Sequence, residues 1–407
     1  MKPDPYAVLK IRDFAFLITG RLLITLALQI QAMAVGWQIY SITGDPLSLG
    51  LVGLAEALPA IGVGLYAGHI ADVFDRKRLA LLSQAMVIFC VAGLAVASFL
   101  NMKSATMCIV IYVLIAVSGL ARGFYNPAVF GLVSQIVPRE LYGNSSAWNS
   151  TLWQLSAILG PILGGGLYVA LGPSYTYVGS VSLLIVAFIL FWQIRSVSEI
   201  NSGPKTSVFE SISEGLRFVF SNEIILGAMS LDLFAVLFGG AVALLPIFAA
   251  EVFHGGPAVL GLLRAAPSIG AVCTATFLAF HPIKRSAGRI LMVAVAGFGC
   301  AMILFGLSKN FYLSLFLLAL SGAFDSVSVF VRGTVFQLQT PSDMKGRVAA
   351  VNSIFIGSSN EIGEFESGVM AKLMGTVPSV VFGGVMTLFV VSATAIRARN
   401  LRRLHLE

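Results

Sequence analysis

The stretch Pro138-Arg-Glu-Leu-Tyr-Gly-Asn-Ser-Ser-Ala-Trp-Asn-Ser150 returns 203 residues later as Pro341-Ser-Asp-Met-Lys-Gly-Arg-Val-Ala-Ala-Val-Asn-Ser353. The proline, an acid, the glycine, an alanine, the asparagine and the serine coincide in the two copies. Upstream, Ser118-Gly119 falls on Ser321-Gly322 with the same offset. This offset predicts two copies of one structural unit, and parallel repeats of this kind place a substrate site near the midplane between them.

Both copies are strongly apolar. Of the 407 residues, 57% are hydrophobic and only 11% are charged, and the mean hydropathy is +0.90. Soluble domains carry roughly 25% charged residues, so this composition excludes a cytosolic enzyme, and its high hydrophobicity excludes a disordered chain. The four cysteines lie far apart inside apolar runs, which favours neither a disulfide framework nor a zinc site. We expect no metal and no cofactor.

Twelve apolar runs are long enough to cross a bilayer, which takes about 20 residues. They lie near 14–42, 48–69, 79–100, 105–133, 146–170, 176–194, 223–251, 258–280, 289–307, 312–338, 348–371 and 377–396. We therefore predict an all-α membrane protein with two pseudo-symmetric bundles of six helices. The predicted domains are a first bundle over 1–195, a linker with a short amphipathic helix over 196–222, and a second bundle over 223–407.

The net charge of +7 is distributed as in a membrane protein and not as in a nucleic-acid-binding protein. Of the 26 Lys and Arg residues, Lys103, Lys309 and Lys372 fall on one side of the predicted spans. Four more lie within spans, which leaves nineteen on the side of the N-terminus. Because cytoplasmic loops are rich in Lys and Arg, we expect both termini in the cytoplasm and the protein in the inner membrane.

Two motifs resemble those of the major facilitator superfamily. The segment Gly68-His-Ile-Ala-Asp72-Val-Phe-Asp-Arg76-Lys77-Arg78 resembles the loop between its second and third helices, with Asp75 where the common form has Gly. The segment Gly160-Pro161-Ile-Leu-Gly164-Gly165 resembles the core of its antiporter motif, although tight packing of small residues is an alternative explanation. The resemblance covers nearly the whole chain and is closest to the enterobactin-exporter-like branch of drug and siderophore exporters, through Arg21, Pro246 and the two Pro-x-acid-x-x-Gly loops. The resemblance implies a transporter whose first, fourth, seventh and tenth helices line a cavity.

Ten ionisable residues are predicted at bilayer depth, where an unpaired charge costs about 2.5–3.5 kcal/mol. Arg21 and Arg332 lie near helix ends, where their side chains can snorkel or join the loop network. The other eight are candidates for a proton or substrate pathway: Glu56, Arg122, Asp232, Arg264, Asp325, Glu361, Glu364 and Glu366. They are expected to face a cavity, to pair or to take up protons.

The spacing of these charges supports two more specific hypotheses. Glu361 and Glu364 share one helix face, while Glu366 is turned by about 140° from Glu361. Close buried carboxylates favour proton binding, so they predict a proton carrier, with static ion pairs as the alternative. Arg122 and Asp325 are separated by the repeat offset and have opposite charges. They predict a pair or gate, with separate partners as the alternative.

Polar and aromatic residues of the first and fifth spans are candidates for contact with the transported molecule. These are Gln29, Gln31, Trp37, Asn149 and Trp153.

The sequence as a whole predicts a secondary transporter and not an enzyme, because it holds no cluster of nucleophile and base and no phosphate-binding loop. The favoured function is proton-coupled export of small amphipathic molecules by alternating access. An uptake or facilitative carrier, and a lipid transporter of the same fold, are alternatives. The expected partners are a small-molecule substrate, the lipid bilayer and protons, with no nucleic acid, and the chain is expected to be a monomer.

Overall fold

The computed structural model describes residues 4–100, 102–195, 208–281, 283, 286–341, 344–402 and 404. At some helical positions, including Gly68 and Asp72, only the backbone is described. Within these ranges the chain is helical and forms no strand. The helices are α1 (Arg12–Thr43), α2 (Pro46–Val73), α3 (Arg76–Phe99), α4 (Ser104–Ile136), α5 (Tyr142–Trp192), α6 (Val208–Ser221), α7 (Glu223–Gly239), α8 (Leu245–Ile247), α9 (Pro257–Phe280), α10 (Ala287–Leu307), α11 (Phe311–Gln339), α12 (Lys345–Met374), α13 (Thr376–Arg397) and α14 (Arg399–Arg402).

Two helical segments of the described chain are interrupted. The 51-residue α5 contains Gly172 at φ +80° and ψ 177°. This backbone conformation is not helical and suits glycine because it has no Cβ, so it separates the predicted spans 146–170 and 176–194. The span that starts with α7 continues after Gly240 through a 3₁₀ turn, α8 and a π-helical turn, Phe248–Val252.

The predicted all-α membrane architecture is confirmed. Ten helical segments in the described chain are long and apolar enough to cross a membrane. These ten count Arg139–Trp192 as one segment and do not include α12, whose glutamates, asparagines and serines make it more polar. Each of the twelve predicted spans coincides with a helical segment of the described chain.

Contacts divide the chain into two compact units. Unit 1 comprises residues 1–43, 55–204 and 256–265, and unit 2 comprises 44–54, 205–255 and 266–407. The units therefore follow the repeat copies except at the first residues of α2 and α9. The domain boundaries at 195 and 223 stay a prediction.

The glycine of the upstream repeat match has the same role in each unit. A Cβ at Gly119 of α4 would overlap with the backbone carbonyl of Glu56 in α2, and a Cβ at Gly322 of α11 would overlap with that of Pro267 in α9. Helices approach this closely only where the side chain is absent. The repeated Ser-Gly thus marks an equivalent helix crossing in both units.

The core of unit 2 positions charged residues beside apolar ones. Leu231 of α7, Leu291 of α10 and Val331 of α11 are fully buried in one cluster. Asp232 follows Leu231 and Arg332 follows Val331, so both charged residues lie at the same depth along their helices as the apolar core.

Candidate functional site

A buried ion pair joins α7 and α11 in unit 2. Arg332 donates through Nη1 to Oδ2 of Asp232. Asp232 is 7% exposed and Arg332 is 5% exposed, so neither charge is solvated. Arg332 does not snorkel to a helix end, as its position in the sequence had suggested, because α7 offers a carboxylate beside it.

A second carboxylate lies on the same face of α11. Asp325 precedes Arg332 by seven residues, which returns to nearly the same helix face about two turns away. Asp325, Asp232 and Ser328 line one small cavity together with Phe298 and Phe324. Asp325 forms no ion pair in the part of the chain that the structure describes. The two predicted pathway acids Asp232 and Asp325 are therefore brought together.

The cavity suits a proton or a water molecule. Its volume is about 10 Å³, close to the minimum for a single water, whereas pockets for organic ligands span about 300–1,000 Å³. Two carboxylates with one guanidinium carry a net charge of −1 when all are ionised.

Unit 1 contains another ion pair, between Arg122 of α4 and Glu56 of α2. It lies where α4 crosses α2 at Gly119, which places Glu56 close to α4. Arg122 thus has Glu56 as its partner, and Asp325 shares a cavity with Asp232. The structure favours separate partners for these two repeat-equivalent residues.

The three acids of α12 differ in their surroundings. Glu364 packs against Gly53 at the start of α2, where a Cβ would meet its carboxylate. Glu366 has a buried Oε1 that accepts no hydrogen bond within the described chain, and the hydroxyl of its neighbour Ser367 donates to the Gly240 carbonyl at 2.8 Å. Glu361 is half-buried. Their role as proton carriers stays a prediction.

The opposite end of α12 forms an ion pair outside the predicted spans. Lys372 Nζ lies 2.8 Å from Asp45 Oδ1, within unit 2. Burial raises the pKa of Asp45, but the hydrogen bond and charge of Lys372, with hydrogen bonds from Ser48 and the Leu47 backbone, outweigh it and lower the pKa overall.

The remaining predicted contact residues are spread over unit 1. Arg264 is half-buried near the start of α9. In α1, Gln31 is buried, the Trp37 ring lies 6.2 Å from the Tyr40 ring, and Gln29 packs against α5. In α5, Asn149 is half-buried and Trp153 is exposed. Contact of these residues with a transported molecule stays a prediction.

The basic loop motif connects helix ends through hydrogen bonds to backbone carbonyls. Arg76 donates to the Gly131 carbonyl of α4 at 3.0 Å, and Lys77 donates to the carbonyls of Trp192 and Ile194 at 2.8 and 2.5 Å. Asp75 caps α3 by accepting from the Arg78 backbone N–H. The other two motif residues, Gly68 and Asp72, are at helical positions whose surroundings the structure does not describe. This loop therefore joins α3, α4 and the end of α5.

The antiporter-like motif packs helices closely. A Cβ at Gly160 would overlap with Gln29 of α1, one at Gly164 would press on Ile30, and one at Gly165 would press on Pro257. Pro161 lies inside α5, and its carbonyl faces Gly261 of α9. These contacts account for the small residues through packing, and a role in antiport stays a prediction.

Sequence comparison assigns the family. Residues 3–405 match the family described as Transmembrane secretion effector, which the major facilitator resemblance had anticipated. The chain belongs to this family. The predicted resemblance to the enterobactin-exporter branch is also confirmed, and the described relatives are membrane transporters.

Two relatives illustrate the range of the similarity. The enterobactin exporter EntS of Citrobacter koseri is 25% identical over 395 residues, covering 96% of this chain and 92% of the relative. The uncharacterized MFS-type transporter YfiS of Bacillus subtilis is 26% identical over 367 residues, covering 86% and 84%.

Solved structures confirm the major facilitator fold. A bacterial homologue of the iron transporter ferroportin superposes with a TM-score of 0.73 at 14% identity, covering 97% of this chain and 99% of that chain. A D-xylose-proton symporter superposes with a TM-score of 0.73 at 12% identity, covering 96% and 97%. At these identities the likeness concerns the fold alone.

Proposed function

We propose that this protein exports small amphipathic molecules, siderophore-like in character, in exchange for protons and by alternating access. The observation that carries the proposal is the cavity lined by both Asp232 and Asp325, with Arg332 paired to Asp232 beside it. The similarity to enterobactin exporters supports the direction and the class of transported molecule.

The proposed coupling ion follows from the size and charge of the cavity. A space for about one water cannot hold an organic molecule, but a water can carry a proton between two carboxylates. Arg332 neutralises Asp232, so Asp325 is the acid that takes up and releases the coupling proton. Protonation of Asp325 removes the repulsion between the carboxylates and changes how α7 and α11 pack, which is the kind of local change that can bias two conformations.

The proposed orientation follows from the charge distribution of the loops. Nineteen of the 26 Lys and Arg residues lie on the side of the N-terminus, so both termini face the cytoplasm by the positive-inside rule. In this orientation protons enter from the outer side of the inner membrane while the transported molecule leaves the cytoplasm.

Transport by everted membrane vesicles tests the proposal. Enterobactin uptake is measured with an imposed pH gradient, acidic inside, and again after the gradient is collapsed. The wild type is expected to accumulate enterobactin only with the gradient, and Asp325→Asn to lose that dependence. Asp4→Asn is the matched control, because Asp4 is an acid at the exposed N-terminal segment, paired with Lys10.

Two results would contradict the proposal. Gradient-driven accumulation by Asp325→Asn at the wild-type rate would remove the assigned proton site. Accumulation only in right-side-out vesicles would show uptake and favour the carrier alternative.

A further inference from the structure

An arginine and two buried polar side chains face one another inside unit 1. Arg21 lies nine residues into α1, Gln84 eight residues into α3, and Tyr125 eleven residues before the end of α4. At a rise of 1.5 Å per residue each is about 12–17 Å from its helix end. These ends lie together, because Val137 after α4 packs on Phe14 of α1 and Arg76 of α3 bonds the Gly131 carbonyl of α4.

Gln84 and Tyr125 leave polar atoms without hydrogen bonds. Gln84 is 3% exposed and Tyr125 is 9% exposed, yet neither Nε2 nor Oε1 of Gln84, nor the Tyr125 hydroxyl, completes a hydrogen bond in the described chain. The Gln84 side chain and the Tyr125 hydroxyl nevertheless lie within reach of each other. Buried groups of this kind cost about 1–3 kcal/mol each and call for an explanation.

Arg21 adds a positive charge that is not paired with any acid in the described chain. It is half-buried and within electrostatic reach of the Tyr125 hydroxyl. Two other arginines of the predicted spans have acid partners: Arg122 has Glu56 and Arg332 has Asp232. Arg21 forms no ion pair with any described residue. Rotation of Gln84 could satisfy the tyrosine, but it would leave this charge uncompensated.

The available groups of the three side chains are mainly hydrogen-bond donors. A guanidinium supplies five N–H groups, an amide two and a phenol one. Donors around a fixed positive charge match the oxygens of an anionic group, and Arg binds carboxylate and phosphate in a two-pronged geometry.

An aromatic ring borders the donors of Arg21, Gln84 and Tyr125. The Phe191 ring lies 6.1 Å from the Tyr125 ring and packs against Gly20, next to Arg21. A ligand that placed an anionic oxygen on Arg21 would therefore also meet apolar surface. This combination favours an amphipathic anion over a small inorganic ion.

We propose that Arg21, Gln84 and Tyr125 form a binding site for the oxyanion group of an amphipathic molecule. A carboxylate or phosphate on a transported molecule and the phosphate of a lipid headgroup share this chemistry. The site does not involve Asp232, Asp325 or Arg332, so it does not depend on proton coupling.

Binding to the full-length protein in nanodiscs tests the site. In phosphatidylcholine discs, sodium benzoate and inorganic phosphate are titrated while the thermal unfolding midpoint and the heat of binding are recorded. A second set of discs contains phosphatidylglycerol without added anion. Benzoate is expected to raise the midpoint of the wild type, and more strongly than phosphate does. If only phosphatidylglycerol raises it, the oxyanion is that of a lipid.

The variants separate an anion site from a purely structural arginine. Arg21→Gln is expected to abolish the response, while Arg12→Gln, at the exposed start of the same helix, retains it. Tyr125→Phe should weaken binding about tenfold, the loss of one hydrogen bond to a charged group. Gln84→Leu should weaken binding while raising the midpoint of the free protein, because an unpaired amide is replaced by an apolar group. If Arg21→Gln does not fold, weaker benzoate binding by Tyr125→Phe and Gln84→Leu tests the site instead.

The proposal is overturned if no probe shifts the wild type, or if the foldable variants respond to every probe as the wild type does.

Discussion

Replacement of Arg332 by Met tests the central ion pair most directly. In the wild type, the side chains of Arg332 and Asp232 are 6% and 9% exposed. Removing one partner of a buried pair leaves the other as an uncompensated charge and costs about 3–5 kcal/mol. Here the cost is expected at the upper end, because the variant leaves Asp232 and Asp325 together without a cation.

The matched control is Arg347→Met. Arg347 pairs with Glu214 of α6, and these side chains are 32% and 56% exposed. Solvent screens such a pair, so its loss is expected to cost about 0–1 kcal/mol. Both variants remove the same guanidinium and introduce the same side chain, which isolates the effect of burial.

Reversible unfolding of the purified protein in mixed micelles measures both free energies. The double variant Asp232→Leu with Arg332→Met should recover most of the loss, because apolar residues can replace a buried pair at little cost. It should not accumulate enterobactin when a pH gradient is imposed. If Arg332→Met is no more destabilising than Arg347→Met, the buried pair does not support the fold as described.

Three further predictions concern other contacts. Gly322→Ala should lower the free energy of unfolding by about 1–3 kcal/mol through overpacking against Pro267. The control Gly333→Ala in the same helix has open space around it and should be neutral or stabilising by up to about 1 kcal/mol. Equal effects of the two variants would contradict a close helix crossing at Gly322. The lowered pKa of Asp45 means that its pair with Lys372 stabilises the fold above the unfolded-state pKa of about 3.9 and loses this effect as the pH falls through the folded-state pKa. The unfolding free energies of wild type and Asp45→Asn should therefore differ by up to about 1 kcal/mol at pH 6 and converge in acid, and a difference that persists in acid would show another cause. Lys77→Gln should destabilise the end of α5 by about 0.5–1.5 kcal/mol. The measurement is amide hydrogen exchange near Trp192, which should become faster. Unchanged exchange would refute this prediction.

The helices were predictable because hydropathy is a local property. A run of about 20 apolar residues must satisfy its backbone hydrogen bonds internally in a bilayer, and a helix does so without knowledge of its neighbours. The break at Gly172 also follows from local chemistry, since glycine adopts its positive φ freely. The repeat identified Gly119 and Gly322 as equivalent, and the structure shows why: each lies where two helices cross with no space for a side chain.

The site was only partly predictable. The cost of charge in a membrane singled out Asp232 and Asp325, and the structure brings these two to one cavity. The sequence did not reveal Arg332 as the partner of Asp232, because position along a helix indicates depth in the membrane but not which helix face meets which neighbouring helix. One signal was present in the sequence: Arg332 follows Asp325 by seven residues and so lies on the same helix face. This spacing could have placed Arg332 near the predicted acid cluster.

Sequence alone indicated a membrane transporter built from two related copies, since composition, repeat and family motifs are all properties of the linear sequence. Only the tertiary structure decided which charges are neutralised and which are not: Arg122 by Glu56, Arg332 by Asp232, and Arg21 by no described acid. The physical reason is that an ion pair between helices depends on their rotation and crossing, which are set by side-chain packing over the whole unit. A rotation of about 100°, one residue, in either helix of a pair would turn one charge away from its partner.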